Sequence, residues 1–394
     1  MRLVFSEEQE KFRQEVRGVV EAELKAGNFS PDIAGLVGGP SQDFSRKMAE
    51  HGWIGMTWPK QYGGQEKTYV EKMIMLEEMM RVKAPVGYHF SADRQVGPAL
   101  MKFGSDWQKD HFLPRIIKAE DGIQFCLLFS EPDAGSDLAA VSTTAREDGD
   151  FYVIDGQKVW TSGGHIADYG WLLARTTLDS NVRGHMACSE FILDMKSPGV
   201  TVRPINNIAG SHSFNEVFMD NVRVHKKYLV GKENEGWAEL MTALSFERGT
   251  AIAFTASARR RFEHLVQYAK ETGLMKKASV RSKLADLAID IESARLMAYE
   301  PVWKAENGIS GIHEPSRDKA AGDILSEKLT RIGTEMIGAY AQLDILHKDS
   351  KWTKIQGALE HLFYYCPGLA VAAGTTAVQK NIVAQFGLQL PKSY

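Results

Sequence analysis

Residues 129–137, Phe-Ser-Glu-Pro-Asp-Ala-Gly-Ser-Asp, combine side chains that could hold an anionic ligand. Ser130 and Ser136 supply hydroxyl groups, and Gly135 permits backbone conformations that other residues avoid. A turn built from such residues exposes backbone N–H groups, and these bind anions such as phosphate. The alternative interpretation of this run, taken alone, is a serine-rich β-turn without a ligand.

A second run, residues 158–164 (Lys-Val-Trp-Thr-Ser-Gly-Gly), follows after a short predicted hairpin. Trp160 ends a predicted strand with a flat indole, which suits one face of a planar ring, and Thr161 and Ser162 could hydrogen-bond to heteroatoms of that ring. A core tryptophan is the alternative here. Together the two runs look like a flavin-binding site. Its candidate residues are Phe129, Ser130, Gly135, Ser136, Trp160, Thr161 and Ser162.

A third candidate for chemistry is an acid within an apolar helical stripe that follows Gly236. Glu247 lies inside this stripe and is therefore predicted to point inward. Burial disfavours the charged form of a carboxyl group and raises its pKa, which makes Glu247 a candidate general base. A buried ion pair or a helix-end contact is the alternative. The apolar positions, spaced by three or four, include Leu240, Leu244, Ala251, Phe254, Ala258, Phe262, Leu265 and Ala269.

Composition excludes several classes of function. The chain has 394 residues, 44% of them hydrophobic, which indicates a globular protein of two or three domains. Its net charge of −3, with Lys and Arg dispersed, argues against a nucleic-acid partner. The N-terminus lacks the apolar segment of a secretory signal, and the uncharged stretch at 363–379 predicts a buried helical segment and not a membrane span.

Cysteine and histidine spacing predicts no metal site. Cys126, Cys188 and Cys366 are widely separated and form no Cys-x-x-Cys motif, and the histidines show no metal-binding spacing. We therefore expect free thiols, no structural zinc and a location in the reducing cytoplasm.

Periodicity divides the chain into three predicted domains. Residues 1–121 show helical spacing, residues 122–230 read as strands with a hairpin turn at Asp155-Gly156, and residues 231–394 return to helix, with Gly273 a plausible cap. Helices followed by strands and then helices, without a G-x-G-x-x-G motif, argue against a doubly wound nucleotide-binding fold.

The two runs, and the chain over essentially its whole length, resemble the acyl-CoA dehydrogenase family. The resemblance implies an α+β multidomain fold with an N-terminal helical domain, a central antiparallel β-barrel or sandwich and a C-terminal helical bundle. It also implies bound FAD, an acyl-CoA substrate converted to a 2-enoyl-CoA, and an electron-transferring flavoprotein as acceptor. In such enzymes a glutamate takes the α-proton while the β-hydrogen leaves as hydride to flavin N5.

The resemblance also assigns roles to residues. The family places its glutamate either in a C-terminal Glu-Gly-Thr motif, where this chain has Ala373, or in a Glu-Arg pair, here Glu247-Arg248. Glu247 is thus the implied base and Arg248 a site arginine, although a surface ion pair is the alternative for Arg248. The backbone N–H of Ala373 and a ribityl hydroxyl would bind the enolate oxygen.

Other matches concern the flavin. Trp160 corresponds to the indole packed on the isoalloxazine and Ser162 to the hydroxyl near N5. Matches around the flavin and its phosphates are Ser130, Gly135, Ser136, Thr375 and Gln379.

Two departures from the family pattern fall in one functional unit. Homomeric members complete a neighbour's flavin site with Arg-x-x-Phe-Gly and Gln-x-x-Gly-Gly motifs, but this chain reads Glu-Thr-Gly-Leu-Met-Lys-Lys at 271–277 and Glu-Met-Ile-Gly-Ala-Tyr-Ala at 335–341. This combination resembles the FAD-binding, base-carrying subunit of heteromeric members that degrade bulky, ring-bearing acyl-CoAs such as sterol side chains. We therefore expect a homologous second subunit in an α2β2 heterotetramer. An acyl-CoA oxidase, or a catalytically silent subunit that binds acyl-CoA or FAD, are the alternatives.

A bulky or cyclic acyl group is a further expectation. Ala372, Ala373 and Gly374 keep one wall of the predicted site small. His89 and Asp93 could line the far end of such a pocket, with a surface loop as the alternative for both.

Overall fold

The computed structural model describes residues 4–31, 39–179, 181–245, 250–309 and 313–391. Within these ranges, helices come first, a sheet follows, and helices complete the chain. The first helices are α1 (Glu7–Lys25), α2 (Gln42–Glu50), α3 (Tyr69–Arg81), α4 (Gly97–Phe103) and α5 (Asp106–Ile117).

Local capping explains where these helices begin. Ser6 and Gln9 form a reciprocal capping box at the start of α1, and Thr68 and Glu71 form another at α3. The two helices pack together, and buried Glu78 of α3 accepts hydrogen bonds from arginines of α1.

The strands are β1 (Phe125–Leu128), β2 (Thr144–Asp148), β3 (Phe151–Lys158), β4 (Tyr169–Arg175), β5 (Cys188–Asp194), β6 (Val200–Asn206), β7 (His212–His225) and β8 (Leu229–Val230). They form one sheet in the order β6-β7-β3-β2-β4-β5-β8, with β1 paired to β4. Most pairings are antiparallel, while β4 pairs with β1 and β2 in parallel. The helix-strand-helix order and the sheet confirm the predicted fold class.

The predicted hairpin turn at Asp155-Gly156 is wrong. Both residues lie inside β3, where the register with β7 shifts between Ile154 and Gly156. The β2–β3 turn instead contains Gly149, whose φ is +59°. A Cβ at position 156 would come within 2.8 Å of the Thr143 Cα, so the glycine permits a close approach between strands.

The later helices are α6 (Gly236–Ser245), α7 (Thr250–Glu271), α8 (Ala278–Glu306), α9 (Glu314–Ile337), α10 (Ala358–Val371) and α11 (Thr376–Ile382). Leu240 of α6 and Ala258, Leu265 and Ala269 of α7 are buried, as the apolar stripe predicts. Gly273 follows α7 with φ +73°, which agrees with its predicted role as a cap.

The stretch at 363–379 was predicted to be a buried helical segment, and this is only partly correct. Helix α10 buries Leu362, Cys366 and Leu369, whereas Phe363 and Val371 are exposed. The chain then leaves the helix and starts α11 at Thr376. An uncharged helix with one apolar face in the core and another outside cannot be told from a fully buried one by charge alone.

All three cysteines are free and buried. Among the described helices, none combines the length and apolar character needed to cross a lipid bilayer.

Candidate active site

The run after β1 folds into a tight turn at one end of the sheet. Glu131 and Ala134 pair through both backbone hydrogen bonds, at 2.9 and 3.2 Å. Ala134 is buried, whereas Gly135 and Ser136 are exposed, and a Cβ at position 135 would meet no described atom within 4 Å. The turn therefore has open space on the side where a ligand could approach.

A buried ion pair connects this turn to the end of β3. Lys158 Nζ lies 2.8 Å from Glu131 Oε1 and donates at 3.0 Å to the carbonyl oxygen of Phe129. The backbone N–H of Val159 donates to the Ser130 carbonyl at 2.9 Å. The two runs that the sequence analysis paired are thus fixed to one another.

Glu131 is surrounded by donors. Its other contacts are the backbone N–H and hydroxyl of Ser142 and the backbone N–H of Thr143. Burial by itself raises the pKa of the Glu131 carboxyl, but the charge and hydrogen bond of Lys158 and these further donors outweigh it and hold the pKa at about 2. This pair is not predictable from one sequence, because residues 27 positions apart show no pairing pattern.

Trp160 adopts an unusual backbone conformation at the end of β3. Its φ is +61°, in the left-handed region that disfavours residues with a Cβ, and 59% of its surface is exposed. The indole contacts Phe214 edge-on at 6.1 Å between ring centroids. Most of one flat aromatic surface is therefore presented outward.

Thr161, next to this tryptophan, is buried and carries a hydroxyl for which no partner is found among the described residues. Its backbone exchanges hydrogen bonds with Asn215 of β7, at 3.0 Å in each direction. Asn215 Nδ2 also donates to the Thr161 carbonyl at 3.0 Å. Buried hydroxyls are normally hydrogen-bonded, so an unpaired Thr161 Oγ1 suits a ligand heteroatom. Ser162 follows with an exposed side chain.

The turn between α10 and α11 contains Ala373, whose φ of +51° is also left-handed. Gln379 Nε2 donates to the Ala373 carbonyl at 2.8 Å, and Thr375 caps α11 through the Val378 N–H. Within the described ranges, no acceptor receives a hydrogen bond from the Ala373 N–H. This backbone donor is available to a ligand.

Glu247 and Arg248 lie outside the described residues. The structure places their neighbours: α6 ends at Ser245 and α7 begins at Thr250. Helix α6 packs on β5 and contacts α4, and α7 packs on α3.

Two buried acids that the sequence analysis did not single out lie beside α6. Glu190 of β5 is fully buried, and burial raises its pKa well above the ordinary value. Burial also raises the pKa of Glu239 on α6 to about 7. Glu239 Oε1 accepts from the Lys232 N–H at 3.3 Å and would lie 1.6 Å from a Cβ at position 231. Its carboxyl thus packs against the chain that follows β8.

A cavity of about 50 Å³ lies between α3 and the π-helical turn Ala92–Val96. Its walls include Met48, Met73, Met75, Met79, Leu76 and Phe90. His89 and Asp93 also line it and both are buried, so they do not lie in a surface loop. Lys72 Nζ lies 2.9 Å from Asp93 Oδ2.

The segments that depart from the family pattern have ordinary surface contacts. Exposed Glu335 pairs with Lys283 at 2.5 Å, and this charge lowers the pKa of Glu335. Arg281 Nη1 donates to the carbonyls of Met275 and Lys276 at 2.8 and 3.0 Å. Arg281, which follows the first of these segments, thus closes its own loop.

Three family profiles match consecutive parts of the chain. The acyl-CoA dehydrogenase N-terminal domain matches residues 6–120, the middle domain residues 126–222 and the C-terminal domain residues 234–388.

Individual relatives extend the match to the full chain. Acyl-CoA dehydrogenase IpdE1 of Mycobacterium tuberculosis (strain ATCC 25618 / H37Rv) is 31% identical over 97% of this chain and 98% of its own length. A solved structure described as Tcur3481-Tcur3483 steroid ACAD has a TM-score of 0.91 at 30% identity and covers 100% of both chains. The ChsE4-ChsE5 complex from Mycobacterium tuberculosis has a TM-score of 0.86 at 29% identity, again over 100% of both chains.

Proposed function

The chain belongs to the acyl-CoA dehydrogenase family, whose members are flavoproteins, and from this premise we propose how its own residues bind FAD and oxidise an acyl-CoA. The product is a 2-enoyl-CoA, and Glu247 is the base that removes the α-proton. FAD, when bound, supplies the ring system that takes up the hydride from the β-carbon.

The conformation of Trp160 is the observation that carries the proposal. A left-handed backbone costs a residue with a Cβ about 1 to 2 kcal/mol, and an indole that is 59% exposed gains little from packing that would offset this cost. A planar ring stacked on the indole would provide such an offset. Thr161 Oγ1, which has no described partner, is suitably placed beside it to bind a ring heteroatom.

Other residues of the two runs fit the remainder of the cofactor. Ser130, Gly135 and Ser136 lie in or beside the open turn, where hydroxyl and backbone N–H groups suit a pyrophosphate. Phe129 precedes this turn, and the Lys158–Glu131 pair fixes the Phe129 carbonyl. Ser162, with an exposed hydroxyl, is proposed to lie near the reacting ring position.

The proposed proton chemistry uses the second wall of the site. An α-proton of a thioester is weakly acidic, so the oxygen that gains negative charge must meet a fixed donor. The Ala373 N–H is available for this task, and Gln379 positions Ala373 through its carbonyl. Because Ala373 cannot act as a base, Glu247 is proposed for that role, with Arg248 as the neighbouring site cation. Thr375 is proposed to contact the flavin from the cap of α11.

The test is Glu247→Gln in the flavin-loaded enzyme. Glutamine keeps the size and polarity of glutamate but has no basicity. Stopped-flow reduction of the flavin by an acyl-CoA should slow by about 10² to 10⁴, because loss of a general base costs that factor. Glu263→Gln is the matched control, since Glu263 is an exposed acid of α7 that lies 3.4 Å from Arg259.

If Glu247→Gln reduces its flavin at the wild-type rate, the base lies elsewhere. A wild-type complex that binds FAD but is reduced by no acyl-CoA would instead support the silent-subunit alternative.

We further propose a homologous partner subunit in an α2β2 heterotetramer. The segments at 271–277 and 335–341 support this, because they lack the family's arginine and glutamine, and Glu335 places a carboxylate where the neutral amide is expected. Two of the similar structures are described by paired names, Tcur3481-Tcur3483 and ChsE4-ChsE5.

The remaining proposals concern the acyl group, the electron acceptor, the location and the domain boundaries. A steroid ACAD among the similar structures, together with small residues at 372–374, supports a bulky or cyclic acyl group. An electron-transferring flavoprotein is the proposed acceptor and the cytoplasm the proposed location. We also infer domains at 1–121, 122–230 and 231–394, supported by the change from helix to strand after Ile117 and back to helix after Val230.

A further inference from the structure

The cavity beside α3 contains a histidine whose tautomer can be assigned from its neighbours. Ser45 donates its hydroxyl hydrogen to the Ser41 carbonyl at 2.9 Å. The Ser45 oxygen lies 2.8 Å from His89 Nδ1; with its hydrogen on the Ser41 carbonyl it accepts from the ring, and we assign the proton to Nδ1 on this basis. Nε2 is then the unprotonated nitrogen.

His89 lines the cavity and is 6% exposed, with its Nδ1 already bonded. In the described part of the chain, Nε2 has no hydrogen-bond donor. Burial lowers the pKa of His89 to about 4, against the opposing charge of Asp93, so the imidazole is neutral near pH 7. The group that His89 offers to the cavity is a hydrogen-bond acceptor.

Lys72 supplies the complementary group. Its ammonium lies 2.9 Å from Asp93 Oδ2, while Asp93 Oδ1 accepts from the Gly55 N–H at 2.8 Å. An ammonium has three N–H donors and this contact uses one of them. Lys72 and His89 both line the same cavity, among flexible methionine side chains that adapt to a bulky apolar body.

One wall of the cavity contacts α6, the helix that precedes Glu247 in the chain. The π-helical turn Ala92–Val96, which provides Asp93, contacts α6, and α6 ends at Ser245, two residues before Glu247. Under the proposed function, a group bound in the cavity belongs to the acyl part of the substrate. The inference below rests on the proposed function in this respect.

We infer that the cavity binds a hydroxyl group carried by the acyl moiety, with His89 Nε2 accepting its hydrogen and Lys72 Nζ donating to its oxygen. A hydroxyl satisfies both protein groups at once. A ketone would use Lys72 and leave His89 without a donor. A carboxylate would place negative charge beside Asp93 and the His89 lone pair.

The experiment compares acyl-CoAs that differ in one oxygen. The probes are 3-cyclohexylpropanoyl-CoA, its ring-hydroxylated isomers and the corresponding ring ketones, tested on the flavin-loaded enzyme assembled with its second subunit. For each enzyme variant we measure kcat/KM for the best hydroxylated isomer and for the unsubstituted probe. The first value divided by the second is the ratio used below. We expect a wild-type ratio of about tenfold or more, since a buried acceptor left unpaired disfavours the unsubstituted probe.

Two substitutions separate the nitrogens of His89. Asparagine reproduces the Nδ1–H donor that holds Ser45 but has no group at Nε2, so His89→Asn should reduce the ratio to near one. Glutamine places its amide near Nε2, so His89→Gln should keep a larger ratio than His89→Asn. His111→Asn is the matched control: His111 stacks on Trp107, outside the cavity lining, and should keep the wild-type ratio.

A wild-type ratio near one, or an unchanged ratio in His89→Asn, would overturn the inference. His89 Nε2 and Lys72 Nζ would then bind water and not a substrate hydroxyl. That result differs from failure of the proposed function, in which none of the probes, hydroxylated or not, would reduce the flavin. If His89→Asn does not fold, an unchanged ratio in Lys72→Met serves as the overturning result.

Discussion

The end of β3 is the part of this chain that we propose to contact flavin, whereas the segments at 271–277 and 335–341 stand where homomeric relatives contact a neighbour's flavin. We call these the first and second halves, and they are built differently. The first half carries features that cost stability: a left-handed Trp160, a hydroxyl on Thr161 without a described partner and a buried Lys158–Glu131 pair. The second half has an exposed ion pair at Glu335 and conventional loop closure.

The difference indicates which half is used. Strain and unpaired polar groups persist where a ligand offsets their cost, and a surface without that use can adopt ordinary helix ends. We therefore interpret the first half as the part of this chain that binds flavin. We interpret the second half as a surface that no longer binds a neighbour's flavin.

The largest expected effect concerns flavin loading. Expressed alone, the chain should bind FAD at least about 100-fold more weakly than when it is assembled with a homologous subunit, because two charge-assisted hydrogen bonds, each about 1.5 to 3 kcal/mol, are missing. The measurements are the flavin-to-protein ratio and native mass, with an α2β2 assembly and two flavins expected. A homotetramer of this chain carrying one tight FAD per subunit would remove the distinction between the halves.

The next effect compares the two ion pairs in the apoprotein. Lys158→Met leaves the Glu131 charge buried without its partner and should lower the free energy of unfolding by about 3 to 5 kcal/mol. Lys283→Met is the matched control and should leave the urea midpoint unchanged, since Glu335 is exposed.

Equal effects of the two methionine substitutions would contradict the comparison. If Lys158→Met does not fold, the double variant Lys158→Met/Glu131→Gln should recover folding, because it removes both charges.

The smallest effect is a pH dependence. The folded pKa of Glu131, about 2, lies below the unfolded value of about 4.3, so its contribution to stability is present above pH 4.3 and is lost as pH falls toward 2. Between pH 5 and pH 3 the wild type should lose about 1.5 kcal/mol more than the double variant. The check is urea unfolding at both pH values, and parallel losses would mean that Glu131 is not held as a strong acid.

Periodicity and motif order predict much of this molecule. The helix-strand-helix plan follows from spacing, and the two runs at 129–137 and 158–164 come together at one end of the sheet as expected. Both are local properties of the sequence. The base proposed at Glu247 remains a prediction, since that residue lies outside the described part of the chain.

The features that the sequence does not predict involve residues far apart in the chain, or they depend on strand register. Asp155-Gly156 has the composition of a turn, but the pairing of β3 with β7 carries the strand through it, and only the partner strand shows why. The Glu131–Lys158 pair joins residues that no periodicity relates. The sequence leaves His89 between a pocket wall and a surface loop, and only its contact with Ser45, 44 positions away, allows its tautomer to be assigned.

The location of sulfur in the chain has a consequence for oxidative damage. Thiol oxidation begins from the thiolate, and burial raises the pKa of Cys126 to about 12 and raises that of Cys188 and Cys366 as well. Methionine needs no deprotonation, and four of the 15 methionines line the cavity beside α3. Peroxide formed by a leaking flavin would thus spare the cysteines and oxidise methionines, and sulfoxides in the cavity wall would make it polar and alter substrate preference.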